Sequence, residues 1–561
     1  MNKENNENII LEEYENEFLY EKNKSNLSIK FNRVAFVFFV FFIISIIFLI
    51  QLLHLGSLRL DIEEIKPINN KKDYRANIID RNDNYLVKTV SSIDIGISPI
   101  EVIDKKKLLI NLKLIFPNKD YYEIKKKLDK GKFFNFEKKI SPENYEKIML
   151  LGDKSIRPEE RLTRLYPQKN LFSHIIGQID DDNNGISGIE KSFNEKLKQI
   201  HKPLKLTLDT DIQFLIRSEL LKFQKIFRAK GSTAILMNVN NGEIFSMVSL
   251  PDFNLNKRET IDDVNYINRA TKGVYELGSV FKTFTVAAGL DAGLIEPETE
   301  FLNLEKKLQC GKSIITEYDN EISSDLTVEE ILIRSGNIGS VRIGQKLEIE
   351  GLKSFLKKIG ILNKIDFDIE EVGKPIPFRW GKCKLATASF GHGITTTPLQ
   401  LAKAYAIISN GGFEIKPTLI KEDSVIIQKK RIIKEGVSQK INLILRKVVT
   451  TEEGTAGFSN IAGYEVGGKT GTAEKAIEGG YTGKAKVNTF ASIFPTTKPK
   501  YVLVVLLDEP KTSESYVYEY KNKKGFYKGT PFNTAGWTSV EVAGKIIEKI
   551  GPILATKYIE N

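Results

Sequence analysis

The chain has 561 residues, 41% hydrophobic and 28% charged. This is the composition of folded domains, not of a disordered, collagen-like or many-spanning membrane protein, and the length suits about three to four domains. Lys and Arg number 83 against 72 Asp and Glu, a formal charge of +11, which alone fits nucleic acid, an anionic membrane surface or a Lys-rich coding bias. Two cysteines, Cys310 and Cys383, exclude a disulfide framework and a Cys-rich zinc module, and four histidines argue against a His-based metal site.

Residues 34–53 (VAFVFFVFFIISIIFLIQLL) carry no charge. About 20 apolar residues span a bilayer core as a helix. The run lacks the small-residue cleavage site of a signal peptide, so it reads as a retained anchor. Lys22, Lys24, Lys30 and Arg33 precede it, and Arg59 and Lys66 follow within a comparable distance. That bias predicts a cytoplasmic N-terminus and a single-pass protein of the inner (cytoplasmic) membrane with its bulk outside. No second span is apparent, the longest later apolar run (501–507) being strand length. Most of the positive charge then lies on the wrong side of the membrane for nucleic acid.

Residues 55–200 are Lys-rich, with a strand pattern at 93–97 and a helical one over 104–130. Residues 180–188 (DDDNNGISG) read as a loop, without the spacing or distal Glu of a calcium loop. From Lys205 the texture changes. Residues 205–208 alternate, 211–227 form an amphipathic helix, and 232–237 a buried strand. Asn240, Asn241 and Gly242 signal a type I′ hairpin turn before a return strand at 243–249. Helical patterns dominate 280–408. Strands return at 465–468, 489–494 and 501–507, and 540–550 is helical. A sheet drawing its strands from both ends of one domain, with helices on both faces, is expected: α/β or α+β.

Three motifs carry chemistry. Ser279-Val280-Phe281-Lys282 puts a serine and a lysine one helical turn apart on one face. A helix N-terminus favours an incipient alkoxide, and Lys282 can take the serine proton only if its pKa falls, as burial and a second cation would cause. A second S-x-x-K, Ser354 to Lys357, has no accompanying signals and reads as surface. Ser335-Gly336-Asn337 joins two helical stretches, where alone it would be an ordinary turn. Lys469-Thr470-Gly471-Thr472 lies on a strand, with Gly471 where a backbone could approach closely. Each triplet is weak by itself. In this order they form the pattern of serine acyl-transfer enzymes acting on D-alanyl peptides and β-lactams.

With Asn268-Arg269-Ala270, Tyr275-Glu276-Leu277-Gly278-Ser279, Phe390 to Ile394, Thr397 to Ala402, Gly454-Thr455-Ala456 and Gly467 to Lys475, the chain resembles the class B penicillin-binding proteins. It is most similar to the division-specific (septal, FtsI-type) peptidoglycan D,D-transpeptidases. Leu277 stands where the family usually has Pro. The likeness continues in Arg75 to Val87, Arg164 to Pro167, His174 to Gly177 and Gly188 to Glu190, with Ala76 and Asp83 at two usual glycine positions.

The resemblance implies a penicillin-binding-protein/β-lactamase-like transpeptidase domain, a central antiparallel sheet flanked by helices, behind an elongated mixed α/β pedestal. The expected boundaries are a tail at 1–33, a membrane helix at 34–54, a pedestal of dimerisation type at 55–200 and a catalytic domain at 201–561. It implies that Ser279 is acylated, that Lys282 is its base and that Ser335 relays a proton. Asn337 would orient Lys282 and bind substrate, and Lys469 would supply positive potential and keep Lys282 neutral. Thr470, Gly471 and Thr472 would bind the substrate, the two hydroxyls meeting its carboxylate, and the backbone N–H groups of Ser279 and Thr472 would form the oxyanion hole. No metal or cofactor is required. The implied partners are D-Ala-D-Ala stem peptides, β-lactams as covalent inhibitors, a membrane peptidoglycan polymerase and other division proteins. An elongation-type enzyme, a D,D-carboxypeptidase and a β-lactamase share the motifs; the anchor and pedestal argue against the last. Cys310 and Cys383 could pair or stay free, and residues 513–532 read as an exposed hairpin extension.

Overall fold

The computed structural model describes residues 24–57, 74–257, 263–311, 313–422, 430–477, 480–522 and 524–558. Lys22, Arg59 and Lys66, which enter the orientation argument, lie outside the described residues, as does most of the expected tail. The chain divides into two units, 1–72 and 73–561. Among the described residues the first holds one helix, α1 (Lys24–Ser57), whose stretch Ala35–Leu53 has a mean hydropathy of 3.0. That is long and apolar enough to cross a bilayer.

The second unit opens with a five-stranded sheet. Its long strand β2 (Tyr85–Ile97) pairs with β1 (Ile78–Ile79), β3 (Phe134–Glu137) and β4 (Ile156–Leu165), and β1 runs parallel to β5 (Leu204–Lys205). The expected strand at 93–97 is thus the end of a longer one. The expected helix over 104–130 is two helices, α2 (Lys105–Ile115) and α3 (Tyr121–Asp129). Pro117 lies in the break, and Asp104 and Asp120 each cap a new start by accepting backbone N–H groups. With α4 (Pro142–Met149) these helices enclose a small separate core around Ile95, Ile97, Leu112 and Ile148. Beside this sheet, Glu190 is fully buried and accepts from the Arg75 guanidinium at 2.7 and 3.0 Å and from Nε of Arg164 on β4 at 2.9 Å.

The helix α5 (Thr210–Ile226) leads into the second sheet. Its order is β10-β11-β12-β6-β7, antiparallel throughout, built from β6 (Gly231–Asn238), β7 (Ile244–Leu250), β10 (Gly467–Ile477), β11 (Gly480–Phe494) and β12 (Tyr501–Asp508). Early and late strands share one sheet, as expected from sequence. β7 and β12 are buried throughout; β12 therefore reads as an apolar run rather than an alternating one, while β7 buries Ser246 and Ser249 among its apolar residues. α5 packs with the C-terminal α12 (Ser539–Lys557) on one face. Against the other lie α10 (Pro398–Ser409) and α11 (Glu435–Thr450), with α6 (Lys282–Asp291) and α7 (Val328–Ile333) packed on α11. Between these run α8 (Asn337–Lys358) and α9 (Lys382–Ser389).

One further expectation needs correction. The β6–β7 turn is not type I′, which requires positive φ at both central residues. Only Gly242 has it (φ 76°). The loop spans four residues, closed by Asn238 N–H to Glu243 O at 2.9 Å and Gly242 N–H to Asn238 O at 3.0 Å. The side chains of Asn238 and Asn241 accept from Asn240 N–H and Glu243 N–H, stabilising the longer turn. Helices dominate the stretch 280–408, as expected. It contains a hairpin of β8 (Lys307–Cys310) and β9 (Ser313–Thr316). Cys310, at the hairpin tip, is disulfide-bonded to Cys383 on α9 across Cα atoms 5.3 Å apart. Residues 513–532 do form a hairpin, β13 (Val517–Glu519) with β14 (Phe526–Lys528). It is anchored by the fully buried Tyr518, whose hydroxyl donates to Trp537 O at 2.6 Å.

Candidate active site

The site lies where the turn before α6 meets the edge strand β10. Gly278–Phe281 forms a 3-10 turn, and Lys282 is the first residue of α6. Gly278 has φ +61°, and a Cβ there would lie 2.8 Å from Thr472 O; a Cβ on Gly471 would lie 2.1 Å from Leu277 O. Two glycines thus let the turn and the strand touch backbone to backbone. The turn is held from behind by Tyr405, which donates to Val280 O at 3.0 Å. Ser279 sits half-buried in this turn, with buried neighbours on either side.

Lys282 is completely buried. Its Nζ donates to Asn337 Oδ1 at 2.7 Å, to Ser335 Oγ at 3.1 Å and to the Ser335 carbonyl. Lys469, equally buried on β10, donates to the same Ser335 Oγ at 2.8 Å. Ser335 has φ 62° between α7 and α8, a left-handed kink that presents both its carbonyl and its hydroxyl to Lys282. α7 is aimed by a capping box between Thr327 and Glu330. Burial pushes the Lys282 pKa down to about 7, against a smaller opposing pull from the Glu317 charge. Burial, reinforced by the neighbouring Lys282, holds Lys469 well below an ordinary lysine. Desolvation is the first cause for both lysines, and the second cation contributes at Lys469. Each lysine so close to the other disfavours a second charge, and the two titrate as a coupled pair.

The three motifs therefore converge. Lys282, Ser335, Asn337 and Lys469 form one hydrogen-bonded cluster. Ser279 stands in the turn that abuts the strand bearing Lys469, Thr470, Gly471 and Thr472. Thr470 Oγ1 lies 2.8 Å from Thr455 Oγ1, and Thr472 Oγ1 accepts from Ala535 N–H at 2.9 Å, which leaves its own proton free to donate. Ser354 and Lys357 are exposed near the end of α8, outside this cluster.

Sequence reading missed Glu317. Its two carboxylate oxygens accept from Asn337 N–H at 2.6 Å and Ile338 N–H at 2.8 Å, while Asn337 Nδ2 donates to Thr316 O at 2.8 Å. It also left Thr455 and Ala535 without roles, although Thr455 lies in a segment quoted above. A Glu some 20 residues from its partner in a hairpin, bonding to backbone, leaves no periodic trace in the sequence.

A buried lysine pair beside a serine turn and a sheet edge makes the protein a serine acyl-transfer enzyme by architecture. Residues 232–527 match the family described as Penicillin binding protein transpeptidase domain, and 71–210 the Penicillin-binding Protein dimerisation domain. The chain belongs to the penicillin-binding protein transpeptidase family. It is 31% identical over 502 residues to a probable peptidoglycan D,D-transpeptidase FtsI from Caulobacter vibrioides, covering 86% of this chain and 82% of that one. It is 29% identical over 482 residues to stage V sporulation protein D of Bacillus subtilis, covering 78% and 74%. Its fold matches penicillin-binding protein 3 from Mycobacterium tuberculosis complexed with ampicillin, with TM-score 0.65 and 21% identity, covering 86% and 96%.

Proposed function

We propose that the protein is a septal peptidoglycan D,D-transpeptidase that works through acyl-Ser279. Ser279 Oγ attacks the carbonyl of the penultimate D-alanine of a stem peptide as neutral Lys282 takes its proton. Oxyanion charge falls to the N–H groups of Ser279 and Thr472, a donor arrangement that supplies roughly 3–4 kcal/mol per donor in acyl transfer. Ser335 passes a proton to the leaving D-alanine nitrogen. The acyl-enzyme then loses its acyl group to an amine of a neighbouring stem peptide, and Ser279 recovers its proton. Lys469, Thr470 and Thr472 bind the terminal carboxylate, and the Gly471 backbone pairs with the substrate. β-Lactams are covalent inhibitors at Ser279, a reading the ampicillin complex of the related fold supports.

The observation that carries this reading is the convergence of Lys282 and Lys469 on Ser335 Oγ behind the Ser279 turn. The septal role draws on the FtsI relative and on Lys469–Lys475 and Thr534 to Trp537. We place the N-terminus in the cytoplasm, the pedestal at 55–200 and the catalytic domain at 201–561 outside, beside a membrane peptidoglycan polymerase and other division proteins. Labelling the full chain with a fluorescent penicillin and mapping the modified residue by mass tests the chemistry: Ser279 is expected, and another residue would overturn it. Product analysis with and without an acceptor amine separates cross-linking from hydrolysis. Depletion producing filaments supports the septal role; rounded cells would reassign it to elongation.

A further inference from the structure

We propose that Glu317 is a positioning residue for this reaction, holding Asn337 in register against Lys282 and setting the charge that Lys282 feels. The proposal rests on the reading of Ser279 and Lys282 given above.

The argument starts from the α8 N-terminus. Its cap position is Gly336, which offers no side chain, so the first N–H groups of the helix need an acceptor from elsewhere. Glu317 supplies it with one oxygen each for Asn337 N–H and Ile338 N–H. A carboxylate at a helix N-terminus is stabilised by the macrodipole, so this is a strong and directional hold. The neighbouring residue fixes the side chain of Asn337. Thr316 O accepts from Nδ2, which leaves Oδ1 as the atom facing Lys282 Nζ at 2.7 Å. One dipeptide therefore fixes both the backbone and the amide orientation of the residue that holds the base.

The hold is itself anchored. Thr316 ends β9, β9 pairs with β8, and Cys310 at the tip is tied to Cys383 on α9. The motif Ser335-Gly336-Asn337 is thus gripped by a hairpin that is covalently bonded to another helix.

The charge matters as well. Lys282 faces Lys469 from β10, the neutral Ser335 and Asn337 from the α7–α8 turn, and the anion of Glu317 from the hairpin. Glu317 in turn lies near Tyr318, Asp319 and Arg334, with Tyr318 donating to Arg334 O at 2.9 Å. Burial lowers the Lys282 pKa and the Glu317 charge raises it, so removing that charge makes Lys282 neutral further down the pH scale.

The test is acylation of the full chain by a fluorescent penicillin across pH 5.5–9 (roughly spanning the expected Lys282 titration), with thermal melting in parallel. Wild type must first label at Ser279; failure there sinks the proposed function, not this inference alone. Glu317→Gln keeps the shape and removes the charge. Its acylation rate should fall about tenfold or more, and the acid limb of its pH profile should move to lower pH by about half a unit or more. Glu317→Asp keeps the charge but draws the carboxylate back. It should acylate more slowly with the limb unmoved and the melting temperature near wild type, and it keeps the proposal testable if the Gln variant does not fold. A Gln variant within twofold of wild type with an unmoved limb would overturn the proposal. So would a loss of rate that only tracks a loss of melting temperature, and so would an Asp variant with the wild-type rate.

Discussion

Lys282 and Lys469 share one oxygen. Their ammonium nitrogens lie 3.1 and 2.8 Å from Ser335 Oγ, and both side chains are wholly buried. Two such cations cannot both stay charged cheaply. With Lys282 brought down to about 7, acylation at Ser279 should rise with pH through that value and then level off. The stability effect has a definite sign. Between about pH 7 and the ordinary lysine range the unfolded chain binds more protons than the native one, so stability rises with pH over that window. The cost of burying Lys282 is full below it. Lys282→Met should therefore lose acylation by about a thousandfold while leaving the melting temperature at pH 6 unchanged or higher. A kinetic profile flat from pH 5.5 to 9, or a Met variant that melts well below wild type, would contradict this account.

Gly471→Ala tests the contact between the nucleophile turn and the sheet edge. The added methyl would sit 2.1 Å from Leu277 O and 3.0 Å from Val280 Cγ1, so the strand or the turn must move. A shift of about an ångström at reacting groups costs on the order of a hundredfold. Acylation should fall by about that factor, with a melting temperature lowered by several degrees. Gly467→Ala is a control further up the same strand, where the clash is with Thr496 and the α11 backbone at Arg446. It should lose stability with a smaller loss of acylation per degree.

Sequence pattern exposed the site better than it exposed the scaffold. Ser279, Lys282, Ser335, Asn337 and Lys469 were legible because each sits in a short motif and the motifs fall in a fixed order. The sheet was legible because β6 and β12 are buried enough to read as apolar runs. What stayed hidden depends either on local side-chain-to-backbone bonds within one pattern or on pairing between distant residues. The break between α2 and α3 turns on Pro117 and two Asp caps inside a polar helical pattern. The β6–β7 turn turns on which backbone groups the Asn side chains accept from. The pairing of Cys310 with Cys383 joins residues 73 apart, and Glu317 reaches α8 through backbone N–H groups that any sequence would offer.

Glu190→Gln addresses the buried ion cluster in the first sheet. The carboxylate compensates Arg75 and Arg164, and all three side chains are buried. Removing one partner of a buried pair costs about 3–5 kcal/mol because the remaining charge stays desolvated. The variant should melt below wild type, by about 3–5 degrees if the two sheets unfold together and by more if the first sheet unfolds on its own. Protein that remains folded should still label at Ser279. A variant with the wild-type melting temperature would show that the two guanidiniums find other acceptors, Arg164 having Ala76 O at 2.9 Å already.

Reduction of the disulfide separates its two effects. A bridge closing 73 residues removes chain entropy worth about 4 kcal/mol in the loop model, and measured values are commonly about 2–4. Cys310→Ser with Cys383→Ser, or treatment with a phosphine reductant, should lower the melting temperature accordingly. The second effect is local. The β8–β9 hairpin carries Thr316 and leads into Glu317, so freeing its tip loosens the acceptors that hold Asn337. Acylation at a temperature well below melting should therefore slow by a few-fold even where the protein is fully folded. Hydrogen exchange should rise first at Asn337 and Ile338, whose N–H groups Glu317 holds, before it rises in β6 or β12. An unchanged acylation rate with a lowered melting temperature would confine the disulfide to stability.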